Sequence, residues 1–474
     1  MHGFHDSDSP APLSNESGPW YKSLNRYHWF VFIVAALGWL FDTMDQQLFT
    51  LARPLAMADL IPAVVTPAPE NETAEAKVTR EAADNKATAA TRGAHGGYAT
   101  SIFLMGWATG GLVFGVLGDR WGRVKTMLAT IIVYSVFTGL SATSRGFWDF
   151  CLWRFLTGLG VGGEFAVGVS LVAEVMPNNA RPHALGLLQA LSAVGNITAA
   201  LIGIAGTGWK TMFLIGTAPA LLSLLVRRRL KEPERWQAAA EVGQGAPQQR
   251  GSYAELFGDP ELRYRAIVGL LLASAGVIGL WGIGFFAGDL QREVFGPMLT
   301  AAGEKDVPGK LKQLSGITLL VQNIGAFFGI YLFSYVSHYL GRRPTFAICF
   351  IGAMLATANV YLNLGKVGGI SDIYWMVPIM GFFQLSLFGG YAIYFPELFP
   401  TRLRSTGTSF CYNVGRFVAA AGPFTLGKLI AGVYSGYEGA TPFRYAGVTM
   451  CSIFAIGLLT IPFIPETKGK PLPE

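Results

Sequence analysis

The run Phe41–Phe49, FDTMDQQLF, closes an otherwise apolar stretch that begins near Trp29, yet it carries two carboxylates, Asp42 and Asp45. A spacing of three puts both on one helical face, about one turn apart. A charge near the centre of a bilayer costs at least about 2.5–3.5 kcal/mol, so each aspartate must pair, face water or hold a proton. Two carboxylates this close disfavour joint ionisation, which is what a proton carrier needs. The alternative is that both lie at the outer boundary and solvate a helix end. Counting from residue 28 places Asp42 roughly 20 Å from the inner face, inside a hydrocarbon layer of roughly 30 Å. Glu164, set among glycines in GVGGEFAVG, is a second candidate proton site, or else a buried hydrogen-bonding group.

Two arginines face the same problem from the cationic side. Arg154 falls about 9 Å below the outer boundary, at the depth of the aspartates. Its planar fork suits either an aspartate or a bound carboxylate. Arg416, in CYNVGRF, lies about 16 Å into its helix. No acid is evident at that depth in the second half of the chain, where Asp289 and Glu397 read as helix ends. Its expected counter-ion is therefore a bound anion or an acid of the first half, with Tyr412 and Asn413 able to assist. Gln189, Asn196, Gln322, Asn323 and Gln384 are also polar at depth, where each could meet a ligand or a neighbouring helix. Trp281, Phe285, Phe286, Tyr391 and Tyr394 could line a pocket or simply pack.

The elements that must carry these residues follow from composition. Of 474 residues, 51% are hydrophobic and 14% charged, against about 25% charged in an ordinary soluble chain. Runs of about 20 apolar residues predict an all-α membrane protein of twelve transmembrane helices in two six-helix bundles. The first six lie near 28–55, 97–117, 124–143, 148–176, 183–206 and 209–228. The others lie near 264–289, 313–337, 344–364, 372–396, 405–432 and 442–464. This gives a tail 1–27, a bundle 28–228 with a solvated excursion 59–95, a linker 229–263, a bundle 264–464 and a tail 465–474. The excursion, rich in Ala, Thr and Glu, reads as partly helical or disordered.

Lys and Arg gather in alternate short loops: Arg120, Arg123 and Lys125; Arg181; Arg227, Arg228, Arg229 and Lys231; Arg342 and Arg343; Arg402 and Arg404. The opposite short loops hold little beyond Arg145, Lys210 and Lys366. The positive-inside rule therefore puts both termini in the cytoplasm. The +6 charge is scattered rather than clustered on one face, which argues against nucleic-acid binding. The four cysteines, Cys151, Cys349, Cys411 and Cys451, lack metal-ligand spacing and read as packing residues. Residues 1–20 lack an apolar core, so the first span is expected to double as the targeting element. Asn71 heads a glycosylation sequon that has meaning only in a secretory eukaryotic context. No metal cluster, phosphate loop or nucleophile–base pair stands out.

The two halves repeat. GDRWGRVKT, from Gly118, aligns with SHYLGRRPT, from Ser337, and E-x-x-P-x-x-x-R recurs as Glu174/Pro177/Arg181 and Glu397/Pro400/Arg404. Both pairs share an offset of about 220 residues, the length of one half. Asp119, Arg120, Arg123, Glu174, Arg181, Arg342, Glu397 and Arg404 thus form a candidate cytoplasmic gate of acid–arginine locks. His338 stands where Asp119 stands in the first repeat, so the second lock is expected to be weaker or pH-sensitive.

GVLGDRWGRVK, Gly115–Lys125, resembles the loop signature of the major facilitator superfamily, and RFLTGLGVGG, from Arg154, resembles its fourth-helix motif. PELFPTRLRSTG and PETKGKPLPE resemble the sugar-porter and metabolite:proton symporter branches. D-x-x-D with Arg154 resembles the aromatic-acid:proton symporters, whose D-G-x-D here reads D-T-M-D with Thr43, and the sialate and monocarboxylate symporters are similar in pattern. The G-P-x-x-G-G pattern of drug exporters is missing from LLQALSAVGNITAALIGIAG. The resemblance implies a non-enzymatic carrier: proton-coupled symport of a small organic anion by alternating access, without cofactors. It further implies a monomer in the cell membrane, with a bacterial inner membrane the working expectation. Asp42, Asp45 and Glu164 would then couple protons. Arg154, Arg416, Asn413, Tyr412 and the five amides would bind substrate. A sugar or polyol carrier of the same fold is the alternative, and a non-transporting nutrient receptor a remote one.

Overall fold

A computed structural model describes residues 19–69, 72–205, 207–218, 230–242, 250–284, 287–419 and 422–473. Among them there is no strand. The helices are α1 (Arg26–Leu60), α2 (Ala74–Arg120), α3 (Arg123–Ser141), α4 (Phe147–Val175), α5 (Arg181–Ile204) and α6 (Trp209–Ile215). Two short linker helices follow, α7 (Glu234–Val242) and α8 (Tyr253–Gly258). The second half holds α9 (Pro260–Ile278), α10 (Ala287–Ala301), α11 (Val307–Leu340), α12 (Arg342–Asn363) and α13 (Ile373–Leu398). It ends in α14 (Arg404–Ala419), α15 (Gly422–Lys428), α16 (Thr441–Met450) and α17 (Ile453–Thr460).

Among the described residues, ten helical stretches are long and apolar enough to cross a membrane. The two remaining expected spans, near 209–228 and 405–432, run into residues 219–229 and 420–421, outside the described set. Arg227, Arg228, Arg229, Phe285, Phe286, Asn71 and most of the N-terminal tail lie outside it as well. Large apolar side chains such as Leu152, Leu201, Phe328, Leu355 and Leu459 point outward, as a lipid-facing belt requires.

The closest helix pairs are built on glycine. A methyl group added at Gly106 or Gly110 of α2 would strike the α4 backbone at Phe155 or Leu159. One added at Gly158 or Gly162 of α4 would strike α2 at Phe103 or Trp107. The second half repeats the device: Gly325 and Gly329 of α11 press on the α13 backbone at Pro378 and Phe382. In lipid, where apolar tails give no advantage to helix association, such backbone contact supplies the packing attraction. Across the halves, α2 packs on α14 and α5 on α11.

The turns repeat too. Gly122, between α2 and α3, has φ 116°, and Gly341, between α11 and α12, has φ 96°. Both lie in the region that side chains with a Cβ avoid. A polar excursion follows α1, but α2 already begins at Ala74 and continues unbroken into its span. Residues 64–66 run beside it: Thr88 Oγ1 accepts from the Val64 amide (2.9 Å), and Asp84 accepts from the Thr66 amide (3.0 Å). Arg80 reaches both carboxylate oxygens of Glu72 (2.7 and 3.0 Å).

Gly110→Leu forces α2 and α4 apart, and overpacking of this kind costs about 1–3 kcal/mol. Purified protein carrying it is expected to melt lower in a detergent thermal-shift assay, with Gly110→Ala intermediate.

Candidate functional site

The two aspartates of α1 are both fully buried but have different neighbours. Asp45 Oδ2 accepts from Arg154 Nη2 at 3.2 Å, joining α1 to α4. The Arg154 guanidinium is enclosed by the rings of Phe49, Phe103 and Phe213, 4.5, 4.9 and 5.1 Å away. This ion pair is walled in by rings and braces α1 against α4, while Arg154 Nε and Nη1 are buried without a partner among the described groups. Asp42 accepts only from Gln46 Nε2, at 3.2 Å, and its Oδ1 has no partner among the described groups. Glu164, Asp45 and Arg416 are the charges within its electrostatic reach. Glu164 Oε2 accepts from Thr130 Oγ1 (2.6 Å), while Oε1 lies against Gly38, one turn below Asp42 on α1, without a hydrogen bond.

Arg416 projects from α14 toward these acids. Its Nη1 donates to the Tyr412 carbonyl (2.9 Å) and to Asn413 Oδ1 (2.8 Å). The guanidinium lies 4.0 Å over the Trp107 ring and 4.3 Å over Tyr412. Its Nε has no partner, and no carboxylate among the described residues comes within ion-pair distance. Tyr412 stacks on Phe165 of α4, centroids 3.9 Å apart, which fixes the platform under the cation. Asn413 is committed: its Nδ2 donates to the Ser409 carbonyl (3.1 Å), and Gly111 of α2 presses on its amide. It positions Arg416 and ties α14 to the first half, a different task from direct ligand contact. Trp107 and Phe165 escaped sequence reading because aromatic residues at helical spacing usually just pack.

The five amides divide. Asn196 donates to Asn323 Oδ1 (2.9 Å), joining α5 to α11, and Gln322 packs its stem on the tight α11–α13 crossing at Gly381. Gln384 donates to Thr357 (2.7 Å) but leaves Oε1 without a partner beside Gly284, and Gln189 Oε1 is likewise buried and unpartnered. Gln291 of α10, overlooked in the sequence because it follows the acid Asp289 near a helix start, is buried. It accepts from Thr318 (2.7 Å) and leaves Nε2 without a partner. Of the aromatic candidates, Trp281 stands 5.8 Å from Trp107. Tyr391 and Tyr394 donate to the Leu272 and Pro465 carbonyls (2.9 and 2.8 Å) and are packing residues.

The basic end is tied shut. Glu174 receives Arg123 Nη2 from its own half and Arg404 Nη1 from the other, both at 2.8 Å. Asp119 accepts from Arg123 and also from the Ser405 and Thr406 amides (3.2 and 2.8 Å), capping the start of α14. In the second repeat Arg342 pairs with Glu397 at 2.7 Å. The acid and the arginine of one E-x-x-P-x-x-x-R motif do not pair with each other. Arg181 and Arg404 instead turn back onto the carbonyls of Ala173 and Pro396 (2.8 and 3.1 Å). The helix stops between acid and arginine, and its free carbonyls take the guanidinium. Arg120 donates only to the Arg250 carbonyl, at 2.9 Å, and takes no part in a lock. His338 faces His183, ring centroids 5.2 Å apart, so the second repeat has no counterpart to the Asp119 cap.

Two further acids complete the repeat. Glu232 accepts from the Val124 and Lys125 amides (3.1 and 3.2 Å) at the start of α3, and Glu466 accepts from the Arg342 and Arg343 amides (2.9 and 3.1 Å) at the start of α12. Both face a helix N-terminus, where the dipole favours negative charge. Sequence reading missed their task because Glu232 stands in the polar linker and Glu466 in the polar tail, each just past the expected sixth span of its half.

The Major Facilitator Superfamily model matches residues 35–423. A cis,cis-muconate transport protein of Acinetobacter baylyi is 29% identical over 78% of this chain and 85% of its own length. A sialic acid transporter of Escherichia coli is 25% identical over 89% and 90%, and a niacin transporter of A. baylyi 24% identical over 95% and 96%. Among solved structures, a proton:xylose symporter superposes with TM-score 0.68 at 17% identity, over 94% of this chain and 98% of that one.

Asp45→Asn leaves a buried arginine without its counter-charge, a loss of about 3–5 kcal/mol. Thermal melting is expected to fall sharply in that variant and to recover in Asp45→Asn/Arg154→Met. At Glu466, burial pushes the carboxyl up, but the amides of Arg342, Arg343 and Lys468 outweigh it and hold it below its usual 4.5. A lowered folded-state value means stabilisation that is complete above that pH and lost as pH falls through the lowered value. Glu466→Gln should therefore melt below the parent at pH 7, and the gap should close on acidification.

Proposed function

The chain belongs to the Major Facilitator Superfamily, a membrane transporter and not an enzyme, and from that premise we propose that it carries a small organic anion, a carboxylate, together with protons. The observation that carries the reading is Arg416: a buried, permanently charged group with a free Nε, at the meeting of the two halves, and without a carboxylate partner among the described residues. A guanidinium can fork a carboxylate, and the flanking Trp107 and Tyr412 rings give a flat apolar part of the ligand a surface to lie on. Muconate, sialic acid and niacin, named for the relatives, all contain a carboxylate.

In this scheme the incoming anion takes Arg416, and Asp42 and Glu164 take protons, so that the loaded site is neutral enough to reorient. Each ligand stabilises the same occluded state, which is the origin of coupling. Asp45 and Arg154 hold α1 against α4 throughout. The moving bodies are the bundles 28–228 and 264–464, and release at the basic end requires Glu174 to lose Arg404 and Asp119 to leave α14. The basic end, with both termini, faces the cytoplasm of a cell membrane, and a single chain suffices.

A sugar or polyol reading has its own support in the unpartnered amide atoms of Gln189, Gln291 and Gln384. The two separate by experiment. In proteoliposomes the parent should accumulate a carboxylate several-fold under an inward proton gradient. Asp42→Asn should abolish that gain while leaving gradient-free counterflow measurable, and Arg416→Lys should reduce carboxylate uptake at least tenfold. Full uptake by Arg416→Lys would transfer the case to the neutral ligand.

A further inference from the structure

The basic end has two seams between the halves, and the repeat makes them counterparts. In the α2–α14 seam Asp119 accepts from the Thr406 amide and from Thr406 Oγ1 (2.8 and 2.6 Å). In the α11–α5 seam His338 stands where Asp119 stands, and His183, two residues after Arg181, stands where Thr406 stands two after Arg404. The acid–hydroxyl contact is thus replaced by two imidazoles, ring centroids 5.2 Å apart. One turn deeper, Gly186 of α5 presses on the Ser334 side chain of α11 and keeps the helices close. His183 is buried, stacked on Trp20 of the N-terminal segment (5.7 Å) and set against Tyr335 (4.8 Å), and its Nδ1 has no partner among the described groups. His338 is half-buried and edge-on to Tyr339 (5.2 Å), within reach of solvent protons.

We propose that this seam is a pH sensor for the solution at the basic end: His183 and His338 pack while they share at most one proton, and acid that charges both parts α5 from α11. The charged groups that face the pair are cations. Arg342, opening α12, donates to the Ser337 carbonyl (2.9 Å) beside His338, and Lys468 of the tail donates to the Tyr339 carbonyl (2.6 Å) on its other side. Arg181, on the same helix as His183, is turned onto the Ala173 carbonyl. The acids on that side are engaged elsewhere: Glu397 with Arg342 and Thr467, Glu466 with the amides of α12. No carboxylate among the described residues pairs with either ring. Two imidazolium rings at this spacing therefore repel with nothing to offset them. Parting the helices gives each ring water and lets it take a proton at the ordinary imidazole value, about 6.5. A ring that gains its proton only in the parted form favours that form about tenfold for each pH unit below that value. The Asp119 cap and the Glu174 tie set the balance of the basic end, and the imidazole pair tilts it with pH. Asp42 and Glu164, deep in the first bundle, have no part in this.

The sensor depends on neither the carried anion nor the coupling protons, so its test uses no substrate. Spin labels at Asn179→Cys and Leu340→Cys, exposed positions flanking the seam, report its width in detergent, and the four native cysteines are buried. Between pH 7.5 and 5.5 the ratio of wide to narrow distances should rise at least tenfold. It is read both in the parent and in Arg404→Gln, where the weakened tie populates both forms. His183→Gln/His338→Gln should remove most of the rise. His338→Asp should reverse it, because a protonated His183 then gains an acid partner, as Thr406 has in Asp119. Three results overturn the proposal: no rise in either background, a rise undiminished in the double glutamine variant, or a rise in His338→Asp equal to the parent's. Should the double variant fail to fold, the sign in His338→Asp, a half-buried position, decides. Loss of gradient-driven accumulation with the pH-dependent widening intact would sink the coupling scheme and leave the sensor standing.

Discussion

Full charges inside a helix bundle constrain everything else in this molecule. A carboxylate or guanidinium removed from water costs several kcal/mol unless its partner is close and its remaining atoms are satisfied. Glu174 shows how strict the condition is: one buried carboxylate takes an arginine from each half. Because Arg404 also binds the carbonyls of Pro396 and Pro473, the second half delivers it already oriented. The tie is strong only while the two halves are in register. A bundle held together by such contacts has discrete arrangements and not a continuum, which suits a carrier with two open ends.

The two carboxylates of α1 illustrate how position divides identical chemistry. Three residues apart, they share a helical face, yet Asp45 is paired with a ring-enclosed arginine while Asp42 is left among acids with one amide donor. Removing Asp45 would strand a cation, whereas protonating Asp42 would relieve a crowd of negative charge. In the proposed scheme the structural and the responsive roles fall to neighbours one helical turn apart.

Much of this was legible in the residues. Apolar runs and a repeat at an offset of about 220 gave the fold class, and membrane depth alone marked Asp42, Asp45, Arg154, Glu164 and Arg416. The partners were less accessible. The E-x-x-P-x-x-x-R spacing hides the fact that the helix stops inside it, so acid and arginine point to different neighbours. Glu232 sits in the polar linker and Glu466 in the polar tail, where a carboxylate excites no suspicion, and the helix starts they meet follow glycine turns. Asn413 looked like a ligand contact because depth says nothing about which backbone stands opposite.

Among the described residues, the first half also carries an extension longer than any in the second. From Ala74 to Ala90, about 25 Å of helix stands ahead of the part of α2 that enters the span, continuous with it and latched along its side by residues 64–66. A stiff rod fixed to one of two tilting bodies is a pointer. A tilt of about 15° would sweep its tip through about 6 Å, enough for a dye pair to register. The internal state of the carrier is thereby written as an angle in the surrounding fluid, and anything that gripped the rod would weigh on the tilt.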